Sequence, residues 1–228
     1  RYYIDLILIS ILLIAMFISI KNRNRFNILL YFPVYISSLL VVNVLNTLTY
    51  LPELGKSVMP LARYSDHFFT AVELVIFSRF YYWLIKSSVV KKSIIILNVL
   101  FVVFFIYMGI GDKEFNQGIS EDTQSKVYTI EAVILLLICS VYFLELFQKL
   151  PFVDLRNEPA FWISTGVLFF MACTLPYSFL ENYIAKYYRH YLFNSYSIFD
   201  VFYILLFTTI IRAYLCKPVN SNSISDQI

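Results

Sequence analysis

Charge is scarce in this sequence: only 14% of its 228 residues are Asp, Glu, Lys or Arg, against about 25% in a typical soluble domain. That shortage excludes a disordered chain, a nucleic-acid-binding domain and an ordinary cytosolic enzyme. Five glycines and seven prolines are too few for the many turns of a membrane β-barrel. Three cysteines, none of them in an outer loop, leave no disulfide framework. Two histidines, His67 and His190, are fewer than the usual ligand set of a catalytic metal centre. A zinc site could only be improvised from His67, Asp66 and Glu131 or Asp200. No H-E-x-x-H, no G-x-S-x-G and no Pro-Gln pair occurs, and the last apolar window holds no Lys. Those absences speak against zinc proteases, serine hydrolases, PQ-loop transporters and retinal proteins. Ser178 could meet His67 at similar depth, but no motif surrounds it. Neither a cofactor nor a metal is expected.

What is present is apolar bulk. The chain is 60% hydrophobic and 19% aromatic, with a mean hydropathy of +0.71. A membrane helix needs roughly 20 mostly apolar residues. Seven windows meet that need: 3–20, 26–50, 64–85, 93–110, 127–147, 160–180 and 195–215. The expected fold is therefore an all-α integral membrane protein. It is a single seven-transmembrane helix bundle over residues 1–216, followed by a disordered cytoplasmic tail at 217–228. The first window carries Asp5 and lacks a small-residue cleavage site, so it reads as a retained helix rather than a signal peptide.

Punctuation places the ends. Asn157-Glu158-Pro159 reads as a helix start, with Asn157 as the cap. Basic stretches at 21–25 and 86–92 read as short loops at a lipid surface. Pro176 interrupts the sixth window and should kink it. Residues 182–196 mix tyrosines with Lys186 and Arg189, and read as an interfacial segment or a lid.

Orientation follows from the charges. Lys21, Arg25, Lys86, Lys91, Lys92 and Lys217 lead the richer basic side, which is expected to be cytoplasmic. The acids gather on the other side. This places the N-terminus outside and the C-terminus in the cytoplasm.

Acids inside spans are expensive and tend to face the bundle interior, where they mark function. Glu73 falls about nine residues into the third span, roughly 14 Å deep at 1.5 Å per residue. Asp66, Thr70, Glu73, Phe77 and Tyr81 follow helical spacing on one face. Glu131 and Asp200 lie about a turn into the fifth and seventh spans, and Asn43, Asn46 and Tyr177 fall at a similar depth. Together they suggest an acidic, water-accessible cup open to the outside. The candidate ligand-binding residues are Asp66, His67, Thr70, Glu73, Asn46, Glu131, Tyr177 and Asp200. Near the inner end, Glu145 could form a structural ion pair with Arg79 or Arg212.

Two strings carry a resemblance. One is His67-Phe68-Phe69-Thr70-Ala71-Val72-Glu73 with Tyr81-Tyr82. The other is Asn157-Glu158-Pro159-Ala160-Phe161-Trp162-Ile163 with Gly166. With the overall pattern, the chain resembles small, enzymatically silent seven-helix proteins of bacteria that serve as sensor modules for histidine kinases. The resemblance implies a sensor of the bacterial inner membrane with a cytoplasmic signalling partner such as a histidine kinase. The acidic cup suggests a small, cationic ligand. Two alternatives stay open: an intramembrane enzyme pairing Glu73 with Asp200 or Glu131 on a lipid-type substrate, and a structural subunit of a membrane complex.

Overall fold

The computed structural model describes residues 2–22, 29–51, 54–112, 120–148, 155–187 and 189–216, with side chains for all of these except residues 2, 3, 121 and 180–198. Among the described residues it is all-helical. The long helices are α1 (Tyr2–Asn22), α2 (Phe32–Leu48), α3 (Gly55–Leu84), α4 (Ser88–Gly111), α5 (Glu121–Phe147), α6 (Pro159–Tyr187) and α7 (Arg189–Tyr214). A single 3-10 turn, Leu155–Asn157, precedes α6.

α1, α4, α5 and α6 contain stretches long and apolar enough to cross a membrane, and α2 is a shorter apolar helix. The chain is thus a multi-pass helical membrane protein. α3 and α7 are as long as the others but carry more polar residues, which the interior of the bundle explains below.

Local chemistry sets the helix ends. Pro33 stands at the start of α2, where its missing N–H costs nothing. Ser87 caps α4 by accepting from the Val90 amide, and Ser120 caps α5 by accepting from the Thr123 amide. Ser120 is itself held: its amide and hydroxyl donate to Asp112 at 3.0 and 2.6 Å, tying the end of α4 to the start of α5. α6 opens at Pro159, one residue later than a cap at Asn157 implies. Residues 88–92 belong to α4 rather than to a loop, so the α3–α4 connection is only three residues long. Residues 182–187 and 189–196 continue α6 and α7 and do not form a separate segment. Arg23, Arg25, Pro151, the side chains of residues 182–196 and the tail at 217–228 lie outside the described residues.

The helices close into a ring. α1 packs on α2 and α7, α2 on α3, α3 on α5, α5 on α6 and α6 on α7. α4 touches α3 and α5 from outside the ring. Its apolar window is 11% buried, against 44% for α5 and for α6. In α1 the inward stripe is Asp5, Leu8, Leu12, Ala15 and Ser19, at helical spacing, while Leu6, Ile7, Leu13, Ile14 and Phe17 face outward. An apolar outer face of this kind is what lipid requires.

Aromatic rings fill the centre. Tyr35 stacks between Phe69 of α3 and Phe207 of α7, with centroids 5.6 and 5.9 Å away. Phe32 meets Phe77 and Phe80 edge to face. Small residues allow two close approaches. A Cβ on Gly55 would stand 2.3 Å from the Thr49 carbonyl oxygen at the α2–α3 connection. One on Gly166 would stand 2.0 Å from Thr209 Oγ1, where α6 meets α7.

Candidate functional site

A cavity of about 390 Å³ opens at the end of the bundle where α3, α5 and α7 begin and α2 ends. Helical register delivers its polar groups. Asp66 and Thr70 are one turn apart on α3, and Asn43 and Asn46 are nearly one turn apart on α2. Asp5 comes from α1, Ser125 and Tyr128 from α5, Ser178 from α6, and Asp200 and Tyr203 from α7. The Asn46 amide donates to Asp66 Oδ1 at 3.0 Å, linking α2 to α3. The Ser125 hydroxyl donates to the Ser178 carbonyl at 2.6 Å, linking α5 to α6. Three carboxylates and one guanidinium, that of Arg63, line the wall, so the cavity is acidic in sum.

Below the cavity lies a polar cluster sealed from solvent. Glu73 and Glu131 are both fully buried. The Tyr35 hydroxyl donates to Glu73 Oε1 at 2.8 Å. Glu73 Oε2 and both Glu131 oxygens have no hydrogen-bond partner. Glu131 interacts electrostatically with Glu73 and with the Leu74 main chain. Tyr128 feels the charges of both acids and lies beside Thr174 and Tyr203. Tyr128 and Tyr203 also line the cavity, and therefore stand between it and the buried acids.

Of the candidate ligand-binding residues, Asn46, Asp66, Thr70 and Asp200 are in the cavity wall. Glu73 and Glu131 sit beneath it. His67 points elsewhere: its ring stacks on Phe105 of α4, with centroids 4.2 Å apart and planes 14° from parallel. One residue's step along α3 rotates it about 100° from Asp66 and out of the ring of helices. Tyr177 packs edge to face on Phe199 at 4.6 Å and is not part of the wall.

His67's position also removes two improvised centres. The Ser178 hydroxyl donates to the Thr174 carbonyl at 3.1 Å rather than to His67. Among the described residues no group of three or more His, Cys, Asp or Glu side chains could hold a metal ion.

The expected ion pair at the opposite end is replaced by other contacts. Glu145 accepts from the Lys86 and Ser87 amides at 2.9 and 3.3 Å, clamping the α3–α4 turn onto α5. Arg79 lies over the Tyr82 and Trp83 rings, and Arg212 lies over Trp162 while donating to the Arg156 carbonyl. Lys91 also lies over Tyr82. These are cation–π contacts in a belt of bases and aromatics.

Sequence reasoning missed Tyr35, Tyr128 and Tyr203. A signal existed for two of them. Tyr128 precedes Glu131 by three residues and Tyr203 follows Asp200 by three, so each shares a face with an acid already singled out. Tyr35 stands 38 residues from Glu73, and nothing local points to it.

Comparison with protein-family models, with curated proteins and with solved structures returns no match. The functional reading therefore rests on the site itself.

Proposed function

We propose that this chain is a seven-span membrane sensor that binds a small organic cation in the acidic cavity and signals through a cytoplasmic partner such as a histidine kinase. In this reading it lies in a bacterial inner membrane with its N-terminus outside. The observation that carries it is the cavity: about 390 Å³, within the usual range for small-molecule sites, walled by Asp5, Asp66 and Asp200. The belt of Arg79, Lys91 and Arg212 on aromatic rings at the far end supports a cytoplasmic assignment for that end. Ring packing gives a ligand leverage. A cation drawn between Asp66 on α3 and Asp200 on α7 contacts helices that do not follow one another in the chain. It can shift a packing equilibrium by as much as its affinities for the two packings differ.

A membrane enzyme using Glu73 with Glu131 or Asp200 is less well supported. Neither Glu73 nor Glu131 is in the cavity wall, where a substrate would have to touch it.

The test is thermal unfolding of the purified chain with aliphatic amines and quaternary ammonium ions of graded size, at constant ionic strength. Saturable stabilisation by one size class is expected, and it should be lost in Asp66→Asn and Asp200→Asn. Stabilisation that never saturates, or that survives both substitutions, would count against the proposal.

A further inference from the structure

The buried pair beneath the cavity is electrostatically incomplete. Glu73 and Glu131 come from α3 and α5, which pack directly on one another, and both are fully buried. Three of their four carboxyl oxygens have no hydrogen-bond partner. Among the described residues neither acid forms an ion pair with Lys, Arg or His. Two ionised carboxylates in each other's field, away from water and without a cation, are not sustainable. A buried acceptor without a donor adds its own penalty.

We propose that Glu73 and Glu131 share one exchangeable proton and form a proton-binding site below the cavity floor. A carboxyl oxygen takes the proton that a hydronium ion in the cavity gives up: one O–H bond forms at the carboxyl as one in the hydronium breaks, leaving water. Release reverses the step, and no electron changes hands. The proton removes one of the two negative charges.

The titratable groups facing the pair are Tyr35 of α2, Tyr128 of α5 and Tyr203 of α7, and α6 contributes the Thr174 hydroxyl beside Tyr128. Among the described residues α4 adds none. Tyr35 is already committed to Glu73. Tyr128 and Tyr203 touch both the cavity and the electrostatic field of the acids. Their hydroxyls are the path by which a proton reaches water. The site stands apart from the ligand proposed above and needs none.

The experiment uses the full chain in detergent micelles, unfolded by heat from mildly acidic to mildly alkaline pH. The folded state holds a proton that the unfolded, hydrated chain releases, so wild-type stability falls as pH rises through this range. The cavity aspartates and other surface groups titrate in every variant, so the comparison isolates the pair. In E73Q/E131Q the pair's part of the fall is lost and the slope is shallower than in wild type. If that variant does not fold, E131Q alone places a permanent N–H donor where the proton was and reduces the slope. Infrared spectroscopy gives a second readout: wild type at neutral pH shows a protonated-carboxyl C=O band that disappears in the variant. Parallel slopes in wild type and variant, or no such band in wild type, overturn the proposal. So does saturable stabilisation of wild type by added sodium chloride at alkaline pH that is lost in E73Q/E131Q, which would assign the site to a metal cation.

Discussion

The Tyr35 hydroxyl donates a 2.8 Å hydrogen bond to Glu73 Oε1, and its ring stacks on Phe69 and on Phe207. One side chain of α2 thereby joins α3 and α7 and satisfies a carboxyl oxygen sealed from solvent. Removing the hydroxyl while keeping the ring separates the two roles. Tyr35→Phe should destabilise the fold by about 1–3 kcal/mol, the cost of an orphaned buried acceptor. Thermal unfolding in micelles measures it. In a Glu73→Leu background the same substitution should cost much less, because no acceptor remains. Equal losses in both backgrounds would assign the effect to packing alone.

Glu145 clamps the α3–α4 turn through two main-chain amides and not through a guanidinium. Glu145→Ala should therefore cost about 1–2 kcal/mol. Arg79→Ala and Arg212→Ala each remove a cation–π contact worth about 0.5–1 kcal/mol. Glu145→Gln keeps one acceptor oxygen and should fall between. If Arg79→Ala or Arg212→Ala matches Glu145→Ala in unfolding temperature, an ion pair forms after all.

The orientation is open to chemical labelling. Cys139, Cys173 and Cys216 are free thiols and are first replaced by alanine. Single cysteines then go to Asp122, at the start of α5, and Lys92, in the first turns of α4; both positions are exposed. A membrane-impermeant maleimide applied to intact cells should label Asp122→Cys and leave Lys92→Cys untouched until the cells are broken. The opposite pattern inverts the topology. Labelling of both in intact cells removes α4 as a span.

Much of the helical layout was legible in the chain because its signals are local. Apolar runs locate the helices, and Pro159 and the low charge of the windows locate several ends. The Ser87 and Ser120 caps were not read from the sequence; around Ser87 the lysines at 86–92 read as a loop at a lipid surface, although such a run suits a first turn equally well. The acids of the cup were legible because a carboxyl in an apolar window is costly wherever it points. Its direction was not. Asp66 and His67 are neighbours in sequence, yet Asp66 lines the cavity while His67 stacks on Phe105. Glu145 shows the same limit: its charge suggested an arginine, and the fold supplied two amides.

By itself the sequence determined that the chain is an all-helical membrane protein, where its apolar helices run, and which residues are too polar to face lipid. Only the tertiary structure decided which helices form the ring, that Tyr35 meets Glu73, and that Glu73 and Glu131 are both sealed from solvent on helices that pack together. The reason is the solvent. In water, apolarity and burial go together, so a hydrophobic stripe reveals the core. In lipid they separate: α4 is the most apolar of the helices long enough to span, with a hydropathy of 2.6, and the least buried of them. When both faces of a helix are apolar, only packing distinguishes the side that meets protein from the side that meets the bilayer.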